Sequence, residues 1–188
     1  MLLLLTGASG VGKSTCRLAI EAALGDEVDC VELRDVVEIP AAPDLAWRHR
    51  SVEAVLQRAL AGERDVVLAG DPVAPGELIA APSADRLDRI AICLLDCDAP
   101  SQIERLRRRG DPDKLLPRHV AFADWMREHA RDPRHRPEVI INGGWAAMRW
   151  ERWAQADWSF DVIDTSGRGP ADVAADALTW VRAARAPA

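Results

Sequence analysis

Leu2-Leu3-Leu4-Leu5-Thr6-Gly7-Ala8-Ser9-Gly10-Val11-Gly12-Lys13-Ser14-Thr15 joins an apolar run to a glycine-rich loop. Arg17-Leu18-Ala19-Ile20-Glu21-Ala22-Ala23-Leu24 follows with helical character. Gly7, Gly12, Lys13 and Ser14 fill every fixed position of G-x-x-x-x-G-K-[ST], and strand–loop–helix is the context that motif needs. Gly7, Gly10 and Gly12 open backbone conformations closed to residues with a side chain. The amides from Ala8 through Ser9, Val11 and Thr15 can then turn inward around a phosphate, helped by the positive end of the helix starting near Lys13. In such a loop Lys13 reaches the β- and γ-phosphates and the Ser14 hydroxyl ligates Mg²⁺.

The 188 residues fit a single domain with a full-sized core, and 48% hydrophobic with 29% charged residues excludes a disordered chain. A net charge of −6 gives no global attraction to nucleic acid or anionic membrane. Cys16, Cys30, Cys93 and Cys97 form no C-x-x-C pair and sit in apolar stretches, which reads as buried thiols of a reducing compartment. The apolar start lacks a basic flank and stops after five residues at the loop, and no run approaches the ~20 residues of a membrane span. A cytoplasmic location is the expectation.

Further along, residues 28–33 read as a second strand ending at Arg34-Asp35, and residues 46–61 as a helix closed by Gly62. Asp65-Val66-Val67-Leu68-Ala69 is a third strand running into Gly70-Asp71-Pro72, and a helical turn is expected at 77–81. Residues 90–95 form a fourth strand ending at Asp96, and 101–109 a basic helix. The stretch 110–137 changes character, with prolines, many arginines and a helical segment at 119–130. Phe160-Asp161-Val162-Ile163-Asp164 is a fifth strand, and Pro170 opens a last helix to about residue 185. Apolar runs without polar alternation are strands covered on both faces, hence a parallel sheet between helices.

In this order of parts the chain resembles the P-loop kinases of the nucleoside/nucleotide kinase superfamily. The likeness is carried by the loop, Asp35, the Gly70-Asp71-Pro72 corner, Gln102-Ile103-Glu104-Arg105-Leu106-Arg107-Arg108-Arg109, and Ile163-Asp164-Thr165-Ser166 before Pro170. The layout is most similar to chloramphenicol phosphotransferase, more loosely to shikimate and gluconate kinases. It also resembles an actinobacterial group of P-loop ATPases with tryptophan-rich C-terminal regions. The corner departs from the Asp-Gly-x-Pro-Arg of adenylate kinase, which argues against an acceptor that already carries a phosphate, as a nucleoside monophosphate does. The resemblance implies a single three-layer α/β/α domain over 1–188, with a five-stranded parallel sheet in order 2-3-1-4-5. Residues 110–137 would form a lid-like insertion. It implies ATP- and Mg²⁺-dependent phosphoryl transfer to a hydroxyl of a small molecule.

Asp35 is the candidate for accepting or orienting that hydroxyl's proton, with Glu38 or Glu32 as substitutes. Asp71 and Asp96 both follow apolar strands and either can serve Mg²⁺; the kinase-like corner favours Asp71. Arg105 and Arg109 share a helix face and match lid arginines that neutralise a transferring phosphoryl group, with Arg118, Arg127 and Arg131 as supplements. Ser166 belongs to the loop that would meet the base. Trp145, Trp150, Trp153 and Trp158 are either packing or an aromatic wall for the acceptor. Against a guanine-reading switch, the chain's only asparagine, Asn142, is followed by Gly143-Gly144. A nucleic-acid end kinase or binding module using the arginine-rich segment is the alternative that the net acidity opposes.

Overall fold

The computed structural model describes residues 1–132, 134–155 and 160–186; Pro133 and Trp158 lie outside the described residues. Strands β1 (Leu2–Thr6), β2 (Val28–Val31), β3 (Asp65–Ala69), β4 (Ile90–Asp96) and β5 (Asp161–Asp164) form one parallel sheet in the order β2-β3-β1-β4-β5. The expected architecture and order are those observed.

β1 is central, with Leu3 opposite both Val67 and Ala91. Side chains of a strand alternate between faces. Leu2 and Leu4 therefore enter one core and Leu3 and Leu5 the other, all four at 0% exposure. The first core lies under α3 (Leu45–Ala61), α4 (Pro75–Ala80), α7 (Glu138–Ile141) and α8 (Trp150–Gln155). The second lies under α1 (Lys13–Leu24) and α9 (Pro170–Arg185). Cys16, Cys93 and Cys97 are buried and Cys30 half-buried, all as free thiols. Burial pushes the Cys16 thiol up to about 11 and the Cys93 thiol up to about 12.

Two expectations need correction. β2 stops at Val31, and Leu33–Val36 form a short helix, α2, capped by Glu32. Asp35 thus lies within a helical turn, and its carboxylate accepts the Glu32 amide hydrogen at 2.7 Å. The Glu32–Asp35 capping box outcompetes continuation of the strand, whose edge position offers pairing on one side only.

The second concerns the burial of 110–137, whose prolines and arginines read as a lid-like insertion. α5 (Ala99–Arg109) ends at Gly110 in the left-handed region (φ 92°), and a 3₁₀ turn (Asp113–Leu115) leads into α6 (Leu116–Arg131). α6 buries Leu116, Ala123, Trp125, Met126 and His129 and contributes to both cores. Its centre is a packed helix.

Candidate functional site

The loop between β1 and α1 carries Gly7, Gly10 and Gly12 at φ 145°, 87° and 105°. Left-handed Gly12 as the N-cap of α1 leaves that helix without a side-chain cap. The first amide hydrogens of α1 are therefore unclaimed by a capping side chain, which suits an incoming anion. A cavity of about 380 Å³ opens there, lined by Ser9–Cys16 with Gly70 and Pro72 on one side. Arg105, Arg108, Arg109, Arg168, Pro170 and Val173 line the rest.

Lys13 is folded into the loop, 6% exposed, its Nζ donating to the Gly7 and Ala8 carbonyls at 2.8 and 2.7 Å. Burial brings its pKa down to about 7, against the pull of Asp71; Arg109 and Arg48 push the same way as burial. The side chain thus stands in the cavity wall, where burial disfavours its charge. Ser14 and Thr15 are exposed at the cavity.

The donor set fits a polyphosphate: helix-start amides, one lysine, and arginines across the cavity. It also fits magnesium, since the Ser14 hydroxyl and a corner carboxylate are hard oxygen donors. Asp71 is the acid that acts most strongly on Lys13, and its Oδ2 accepts the Leu33 amide hydrogen at 2.7 Å. Asp96 is engaged elsewhere, gripped by Arg127 through two hydrogen bonds of 2.7 and 2.9 Å.

The other expected residues are placed unequally. Arg105 lines the cavity as an anchor: it donates to the Thr165 hydroxyl at 2.9 Å, to the Thr165 carbonyl and to the Arg168 carbonyl at 3.3 Å. Arg109 is exposed and forked onto Asp111 at 2.6 and 2.7 Å. Its neighbours Arg107 and Arg108 pair with Asp113 and Glu104. Ser166 lines a separate polar hollow beside Asp96, Asp98 and Asp164, donates to Asp164 and accepts the Asp98 amide hydrogen. Asp35 is exposed and does not line the loop cavity. His119 stands 3.7 Å from Asp111, and Arg131 pairs with Glu128. Trp125 stacks on His129 with ring centroids 4.6 Å apart, and the buried Trp153 lies tilted against His129 at 5.0 Å. Of the tryptophans read as packing or as an aromatic wall, Trp153 packs in the core and Trp145 and Trp150 are partly buried against it.

Three residues were underweighted in the sequence. Glu32, 4% exposed, faces Arg17 at 3.3 Å, pairs with Arg34 and adds negative charge near Lys13. Arg168 comes from the turn before Pro170 and lines the cavity. Gln102 is fully buried, and its side-chain amide donates to the Ser9 carbonyl at 2.8 Å and the His119 carbonyl at 3.3 Å. Gln102 opens a stretch already quoted and the other two sit beside motifs already singled out, yet none occupies a fixed motif position.

Sheet order and loop together define a P-loop fold of the kind seen in small-molecule kinases. Gluconokinase from Sinorhizobium meliloti 1021 is similar with a TM-score of 0.59 and 20% identity, over 97% of this chain and 92% of that one. Shikimate kinase from Acinetobacter baumannii, in complex with shikimate, gives 0.55 and 14%, over 99% and 95%. Kti12 from Chaetomium thermophilum, in complex with ADP-AlF3, gives 0.61 and 12%, over 100% of both chains. At these identities the likeness is one of fold. No family model and no curated protein matches the chain. No helix among the described residues is long and apolar enough to cross a membrane.

Proposed function

We propose that the chain is a cytoplasmic ATP- and Mg²⁺-dependent phosphotransferase acting on a hydroxyl of a small molecule. One observation carries the reading. A glycine-turned loop and a buried lysine, whose charge burial disfavours, meet a wall of arginines across a single cavity. The solved gluconokinase and shikimate kinase, and the tunicamycin resistance protein of Deinococcus radiodurans, share the fold and support the class.

In this reading the amides of Ala8–Thr15 hold the β-phosphate, and Lys13 leaves the Gly7 and Ala8 carbonyls for the β- and γ-oxygens. Magnesium would supply charge neutralisation between those oxygens, with Ser14 and Asp71 as its protein donors. Arg109 exchanges Asp111 for the transferring group, and Arg105 fixes the wall by holding Thr165 and Arg168. Pro170 and Val173 offer an apolar face to the base. Asp35, exposed on α2, orients the acceptor hydroxyl through the oxygen not used in its capping box. Residues 110–115, between α5 and the packed part of α6, are the segment that closes.

The test is ATP consumption against a panel of nucleosides, sugars, shikimate-like acids and antibiotics. Acceptor-dependent consumption that Lys13→Ala abolishes is the expected result. A folded chain that binds no ATP in calorimetry overturns the reading.

A further inference from the structure

We infer that Arg48 and Glu77 form a positioning pair that sets the Gly70-Asp71-Pro72 corner, and with it the strength of the magnesium site. The inference rests on the reading of Ser14 and Asp71 as the metal side of the cavity. The corner lies beyond the last ladder residue of β3, Ala69, so its polar groups need partners from elsewhere. Each of three consecutive residues is held by a different element. Asp71 takes the Leu33 amide hydrogen of α2, Pro72 offers its carbonyl to Arg48 Nη2 of α3, and Val73 offers its carbonyl to the Thr6 hydroxyl of β1.

The middle restraint differs from the other two because it depends on a buried charge. Glu77 has 0% exposure. Its Oε1 receives Arg48 Nε at 2.6 Å, and its Oε2 receives Arg48 Nη2 at 3.0 Å and the Ala74 amide hydrogen at 2.7 Å. The backbone from Pro72 to Glu77 is therefore wrapped around one guanidinium. His49 Nε2 lies 3.7 Å from Glu77 Oε1, but burial pushes that imidazole toward its neutral form, and its Nδ1 accepts the Trp145 amide hydrogen at 3.1 Å. Arg48 is thus the cation that balances Glu77 among the described residues. It is also one of the charges acting on Lys13, together with Asp71. A planar fork can hold a carboxylate and a carbonyl at once, which a lysine ammonium on its flexible stem does with less constraint. Loss of the fork frees the Pro72 carbonyl, and Asp71 is the adjoining residue.

The pair touches neither phosphate nor metal, so its signature is in metal dependence. The experiment titrates ATP into the full chain by calorimetry, once with excess Mg²⁺ and once with EDTA. It uses the native chain, Arg48→Lys, and the double variant Arg48→Met/Glu77→Gln. The double variant removes both charges of the pair together, which preserves folding where a half-broken pair does not. The glutamine carbonyl oxygen it introduces can still accept the Ala74 amide hydrogen. Both variants are expected to keep the native affinity in EDTA, where the loop amides and Lys13 do the binding. Both are expected to lose about tenfold of the magnesium-dependent gain, the loss seen when a group orienting a metal ligand is removed. Asp71→Asn should show the same loss, with no further loss when added to the double variant. Folded variants with a lower Tm but the native magnesium gain overturn the inference and leave the pair a structural one. A native chain that binds no ATP, or gains nothing from Mg²⁺, overturns the reading beneath it and the inference with it.

Discussion

On the face carrying α1 and α9 the buried side chains are Val11, Cys16, Ile20, Leu24, Val173, Ala177 and Val181, with Trp180 as the one large ring. On the face carrying α3, α4 and α8 they include Trp125, Met126, Trp153 and Met148, and the same helices bury His49, Glu77 and Ser51. The first face is regular: two long helices lie on the sheet, and small residues let them approach each other. The second is assembled from the long α3 and the short α4, α7 and α8, and its irregular gaps are filled by rings and closed polar pairs. Gly76 shows how tight that filling is, since a Cβ there would stand 2.9 Å from the Trp153 ring. The difference teaches a division of labour. The regular face ends in Lys13 and presents the phosphate loop together with Pro170 and Val173, and the irregular face holds the Gly70-Asp71-Pro72 corner in place.

That division can be broken or sharpened by experiment. Lys13→Ala should abolish ATP turnover, by about 10²-fold or more, with unchanged circular dichroism and an unchanged or raised Tm because a buried cation is removed. Turnover at the native level in the folded variant would sink the division at its root. Trp153→Ala should do the converse. Removing a buried ring costs about 3–5 kcal/mol, read by urea unfolding, while ATP affinity of the folded fraction stays near native. A large loss of affinity at native stability would place Trp153 in the site.

The third prediction concerns protons. Burial holds Lys13 at about 7 in the free chain, and a bound phosphate, being negative, raises that value. Below pH 7 the ammonium is already charged and binding takes up no proton through this group. Above pH 7 binding must protonate it, so affinity falls by up to about tenfold per unit until the bound-state pKa is reached. Calorimetry in buffers of different ionisation enthalpy should show Lys13-dependent uptake approaching one proton by pH 8.5. The same uptake in Lys13→Ala would assign it elsewhere. The smallest effect is expected at Ile20→Val on the regular face, about 0.5–1.5 kcal/mol. A cost as large as that of Trp153→Ala would erase the contrast between the faces.

The regular face was legible in the sequence because local signals suffice there. The glycine spacing of the loop, the unbroken apolar strands and the Pro170 helix start each fix an element within a few residues. The irregular face was less so. Arg48 and Glu77 are 29 positions apart and share no motif. α2 exists because Glu32 and Asp35 cap one another, a signal that competes with the apolar run before it. α6 was legible as a helix at 119–130, but its burial was obscured because its outer face carries arginines and acids around the inward residues Ala123, Trp125, Met126 and His129. Of the site, the loop was readable residue by residue. The arginines were readable only as a cluster, since which of them is anchored and which is exposed depends on Thr165 and Asp111.

Gln102 has a mechanical consequence. A side-chain amide carries two hydrogens, and here one faces the Ser9 carbonyl of the phosphate loop and the other the His119 carbonyl at the start of α6. Two stretches of chain that meet nowhere in sequence are thereby yoked to one nitrogen. Any displacement of the start of α6 relative to the loop must break either bond or drag the loop along. The loop thus feels the position of α6 through this side chain.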